Sequence, residues 1–105
     1  MTEARLPDPR TLAAHLVQAA CEGVMLSEVP LPGEAALRAR AQRLALAVLR
    51  NLARTDAVLA PFLRKAPSPA VMAVLRVAVV EMLEMGAPPH GVVNAAVTAL
   101  RVSTP

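Results

Sequence analysis

The chain has no tryptophan, no tyrosine and a single phenylalanine, Phe62, among 105 residues. Its hydrophobic fraction of 55% is therefore Ala, Leu, Val and Met, a composition that suits packed helices better than sheets, in which aromatic and β-branched residues predominate. One cysteine, Cys21, excludes an internal disulfide, and the two histidines, His15 and His90, lie far apart, so no metal-ligand spacing exists. A domain of this length buries roughly 60 to 70% of its unfolded surface and needs neither kind of staple. Cysteine usage points to a reducing compartment, the cytoplasm. There is no nucleophile beside a base, no acid/base pair and no Gly-rich phosphate loop following a strand, which argues against a small enzyme. Membrane insertion is equally unsupported. The apolar run Thr11 to Cys21 is too short to span a bilayer, follows the acids Glu3 and Asp8, and contains His15. The VQAAC that ends it resembles a lipoprotein cleavage box only loosely, since Gln18 stands where a large apolar residue is wanted.

The stretch SPAVMAVLRVAVVEMLEMG, Ser68 to Gly86, is the element the rest of the chain is predicted to pack around. Spacing residues at about 100° puts Val71, Leu75, Ala78, Val79 and Met82 on one broad face, with Arg76, Glu81 and Glu84 roughly opposite. Val77 and Val80 fall inside that polar arc, and a helix apolar nearly all round is normally buried. Its ends settle helix against strand: Ser68 is an N-cap with Pro69 at the first helical position, and Gly86 is a stop followed by Pro88 and Pro89.

Asp8 and Pro9 open a first helix in which Leu12, Leu16, Ala19 and Ala20 share a face, and Gly23 ends it. Val24 to Val29 adds a short turn, and Leu31 to Glu34 is a loop broken by Pro32 and Gly33. From Glu34 to about Ala53 the positions Leu37, Ala41, Leu44, Val48 and Leu52 predict one amphipathic helix about 30 Å long. Thr55 and Asp56 then cap a segment carrying Val58, Leu59, Phe62 and Leu63, with Pro61 tolerated only within a first turn or as a kink and Phe62 read as core. Lys65 to Pro69 is the loop into the central helix. After the Pro-Pro-His corner a last helix presents Val92, Val93, Ala96, Val97 and Leu100. The fold class is all-α, a bundle of about five helices with no strand.

The net charge of +3 conceals a segregation. Between Arg38 and Lys65 stand seven bases and one acid, Asp56, a local net of +6 that leaves −3 for the remainder. Measured from Arg38, Arg50, Arg43, Arg54 and Arg40 fall at about 120°, 140°, 160° and 200°, a stripe about 80° wide. A charged face serving solubility explains such a stripe in many domains. Here no acid is interleaved between Arg38 and Arg54 to make the usual i, i+4 pairs, and a polyanion partner explains the imbalance better. Arg38 itself points to the edge of the apolar face, where it needs a carboxylate or backbone carbonyls as partners.

The segments AVLRNLARTDAVL (Ala47 to Leu59), LRVAVVEML (Leu75 to Leu83) and PPHGVVNAAVTAL (Pro88 to Leu100), in that order and spacing, resemble the NusB-like helical domain. The likeness is greatest to the version at the N-terminus of RsmB/Sun/Fmu-type 16S rRNA cytosine-5 methyltransferases, and it covers about Thr11 to Arg101. Arg50, Asp56, Leu59, Leu75, Arg76, Pro88, His90, Val93, Asn94 and Val97 sit on family positions. Leu37-Arg38 replaces a usual Asp-Arg pair, Leu46 and Ala47 replace an aromatic and a glycine, Thr55 replaces a leucine, Val80 a tyrosine and Ala95 a glutamate. The resemblance implies a NusB-like RNA-binding domain at residues 8–101, with 102–105 a tail or the opening of a linker. It also implies that the domain is not the catalyst: S-adenosylmethionine and the catalytic cysteines belong to a Rossmann-like domain that nothing in this chain matches. Cys21 reads as a buried, inert thiol. His90 reads as helping to start the last helix, and Asn94 as a buried amide.

Two functions follow. In the first, Arg40, Arg43, Arg50 and Arg54 hold RNA, 16S rRNA being implied by the resemblance, through phosphate geometry more than base identity, while Arg38, Asp56, Arg76, His90 and Asn94 are structural. With one aromatic, a single-strand reader of the base-stacking kind is disfavoured. In the second, the helices dock on a catalytic domain of the same polypeptide, on another protein as antitermination-type relatives do, or on a second copy of the chain; the excess of apolar residues, including Leu46, Val77 and Val80, supports it.

Overall fold

Local capping chemistry starts both well-defined helices where the sequence predicts. In the computed structural model, which describes residues 8–63 and 65–90, the Asp8 carboxylate accepts from the Thr11 backbone N–H at 2.9 Å and from the Thr11 hydroxyl at 3.1 Å. Helix α1 then runs Pro9–Cys21. Its last carbonyls are closed by the N–H groups of Glu22 and Gly23, and Gly23 leaves the helix at φ 95°. A 3-10 turn, Leu26–Glu28, precedes the loop to Glu34. In that loop Gly33 has φ 98°, a left-handed backbone that favours glycine. Helix α2 is Ala35–Arg50, α3 is Leu52–Leu59 followed by a 3-10 turn Ala60–Phe62, and α4 is Pro69–Leu83. The Ser68 hydroxyl caps α4 by accepting from the Val71 N–H at 3.3 Å. Pro89 and His90 are again helical. The apolar stripe predicted for that last helix lies outside the described residues. Among the described residues there is no strand, and no helix is long and apolar enough to cross a membrane.

The long helix predicted to Ala53 ends earlier. At Asn51 the backbone departs to φ −119°, ψ 23°, its side-chain amide donates to the Ala47 carbonyl at 2.7 Å, and its N–H donates to Val48 at 3.0 Å. These bonds satisfy end carbonyls of α2, which is therefore about 24 Å long rather than 30. Thr55 and Asp56 do not cap a helix; they lie one turn inside α3. Thr55 is buried and donates its hydroxyl back to the Leu52 carbonyl at 2.9 Å.

Helix α1 packs against both α2 and α4, and its Leu16 and Val17, with Ala13, are fully buried. The facing positions are Ala41, Leu44, Ala45 and Val48 on α2 and Ala73, Val77 and Val80 on α4. Helix α4 is covered all round, since none of residues 70–82 is exposed, and it packs against α1, α2 and α3, as the sequence predicts for the central helix. The predicted face of α4 also needs correction. Ala73, Val77 and Val80, spaced i, i+4, i+7, form the side in the core; of the predicted face Val79 is buried, while Val71, Leu75, Ala78 and Met82 are half-buried. A helix apolar on nearly every side gives the sequence pattern little direction, and packing against α1 decides its rotation. Two further expectations fail: Phe62 is 80% exposed rather than core, and Cys21 is exposed rather than buried.

Leu16→Ala should destabilise the chain by about 2–5 kcal/mol, because a fully buried leucine leaves a cavity, whereas Phe62→Ala should change stability by about 0.5 kcal/mol or less. Urea denaturation followed by helical circular dichroism distinguishes the two.

Candidate nucleic-acid interface

The apolar positions of α2 face α1, which leaves its arginines outside. Arg40, Arg43 and Arg50 are all exposed, and among the described residues no carboxylate forms an ion pair with them. Arg43 and Arg50, seven residues apart, stand two turns from each other on nearly the same side, and Arg40 lies one turn before Arg43. Arg50 also occupies the last turn of α2, where a cation is favoured by the helix dipole.

Arg54 separates from this set. The break at Asn51 places it on α3, and its Nη1 donates to the Glu84 carboxylate at 2.8 Å. Its charge is therefore partly offset by a residue thirty positions away. Arg38 needs a partner at the edge of the apolar face and finds one in the Gly33 carbonyl, to which its Nη1 donates. That bond pins the loop to α2 and involves no carboxylate.

Asp56 and Arg76 form a two-point pair: Nε donates to Oδ1 at 2.8 Å and Nη2 to Oδ2 at 2.9 Å. Hydrogen bonding from the Arg76 guanidinium, opposed by partial desolvation and assisted by its charge, holds the Asp56 carboxyl below its ordinary value. The same bond raises Arg76. The remaining Nη1 of Arg76 donates to the Cys21 sulfur at 3.6 Å, so α4 is linked to both α3 and the end of α1. His90 is exposed at the start of a helical segment; Asn94 lies outside the described residues.

One pair escapes sequence reasoning altogether. Glu81, placed by periodicity on a polar arc, is 7% exposed and accepts from Arg10 Nε through both oxygens, at 2.8 and 2.7 Å. No local signal connects residues 71 positions apart. Among the described residues no group of three or more His, Cys, Asp or Glu is placed to hold a metal ion.

Comparison with known proteins places residues 8–103 on the model of the NusB family. No curated protein and no solved structure matches the chain.

Because its folded value is lowered, Asp56 contributes stability that is present above its unfolded value of 3.8 and lost as pH falls through the folded one. Asp56→Asn should therefore lower the urea midpoint at neutral pH, with the difference from the parent shrinking as the medium is acidified below about pH 4. A gap that stays constant across that range would mean the pair contributes no pH-dependent stability.

Proposed function

The chain belongs to the NusB family, and we propose that it is a non-catalytic RNA-binding module whose contact surface is the arginine face of α2. The observation that carries this reading is the exposure of Arg40, Arg43 and Arg50 on one helix with no ion-paired carboxylate among the described residues. Like charges held together on a rigid helix repel one another, and a phosphate backbone relieves that repulsion while releasing its own counterions. Arg54 stays in the surface as a weaker member because Glu84 shares its charge. Side chains on a helix reach phosphates without reading bases, so the contact selects backbone geometry more than sequence.

Within the family, the finer reading is service to a 16S rRNA cytosine-5 methyltransferase in the cytoplasm. On this reading S-adenosylmethionine and the catalytic cysteines sit on a separate domain, and this chain positions the RNA. A second reading, docking on a protein partner or a second copy in the manner of antitermination modules, is favoured by Met25, Leu83 and Met85, each at least half exposed.

The parent chain should bind a 16S rRNA helix fragment with an affinity that falls log-linearly with salt, and Arg40, Arg43 and Arg50 changed together to Ala should flatten the slope by about one per arginine. Circular dichroism confirms that the variant is folded. A folded parent that binds no RNA, but dimerises or captures a partner domain in a sizing run, would replace the first reading with the second. Equal binding by the triple variant would move the surface elsewhere.

A further inference from the structure

The largest apolar side chain of the chain lies on the outside. Phe62 is 80% exposed, although the residues on either side of the turn that carries it face inward. Leu59 is buried and Leu63 half-buried, an i, i+4 pair that fills the inner side of α3 and its 3-10 turn. Val58 and Phe62, also i, i+4, occupy the outer side, where both are exposed. The register thus places leucines in the core and leaves the only aromatic ring in water, forgoing the burial that would otherwise be its most favourable use.

We propose that Phe62 is a stacking platform for one unpaired base of the RNA held by the arginine face, an inference that rests on the RNA-binding reading above. The charges around the ring favour that occupant. Lys65, three residues beyond Phe62, is exposed, and Arg54, two turns before it on α3, is exposed with its charge shared by Glu84. Asp56, the one acid of the segment, is drawn to Arg76. An exposed apolar ring with an exposed lysine three residues on matches a nucleotide, which has a π-face and a phosphate. The ring has no polar atom, so it tolerates any base, in keeping with a surface that reads backbone geometry. Because the chain has one aromatic, it offers a single stacking position rather than a track. Paired bases in an A-form duplex are closed to such a contact, so the ring selects an unpaired nucleotide in a loop or bulge. The scarcity of aromatics, which argues against a base-stacking track, leaves room for this one position because the ring is exposed.

The test compares a fully paired RNA duplex with a hairpin of equal length carrying an unpaired loop, against the parent, Phe62→Ala and Phe62→Trp. The parent should favour the hairpin by about tenfold. Phe62→Ala should lose that preference while keeping its affinity for the duplex. Phe62→Trp should retain the preference, and its indole, the only one in a chain without Trp or Tyr, should be quenched by the hairpin and not by the duplex. A parent that binds both RNAs equally, or a Phe62→Ala variant that retains the preference, overturns the stacking role and leaves RNA binding intact. A parent that binds neither overturns both. Loss of self-association in Phe62→Ala with RNA affinity unchanged would assign the ring to a protein contact instead.

Discussion

Close approach of α1 to α2 and α4 is the constraint on which the rest of the structure depends. Without aromatic residues to fill wide gaps, the helices meet through small side chains. Ala13 on α1, Ala41 and Ala45 on α2 and Ala73 on α4 are each at most 1% exposed. Interaxial distance follows the side chains at the contact, so alanines permit tight crossings, and Leu16, Val17, Val48 and Val80 interlock around them. Dispersion contacts and area removed from water then supply cohesion that larger rings provide in other cores. Replacing one of these alanines with a longer side chain would push whole helices apart.

The charges of α4 follow from the same packing. Arg76, Glu81 and the C-terminal Glu84 are its only ionisable residues, and each is paired with another helix: Arg76 with Asp56 and Glu84 with Arg54 on α3, Glu81 with Arg10 on α1. What looks on a helical wheel like a solvated arc is a set of ties that orient α1 and α3 on α4. The Glu81 pair matters most, since loss of Arg10 would leave a carboxylate buried without its partner. The exposed Arg54–Glu84 pair contributes little to stability; its effect is on the surface, where it removes Arg54 from the unmatched charge.

Acids committed to these ties and to the Asp8 cap are unavailable to α2. Among the described residues no acid pairs with Arg40, Arg43 or Arg50, and the break at Asn51 starts α3, whose following 3-10 turn ends at Phe62.

Local chemistry was legible in the sequence. Asp8-Pro9 and Ser68-Pro69 open helices, Gly23, Gly33 and Gly86 take the positive φ that the chain needs where helices end or turn, and the all-helical class follows from an Ala, Leu, Val and Met composition. The segregation of arginines onto one segment is also a property of the sequence alone, because it needs only residue counts and a 3.6-residue period. Tertiary structure decided what depends on distant neighbours: which side of α4 faces the core, that Glu81 meets Arg10, that Arg54 meets Glu84, and that Phe62 and Cys21 face water. Caps and periods are set within a few residues and act before the chain is folded. Burial and pairing are set by whatever surface arrives from elsewhere in the chain, and a helix apolar on every side, like α4, carries no local record of which surface that will be.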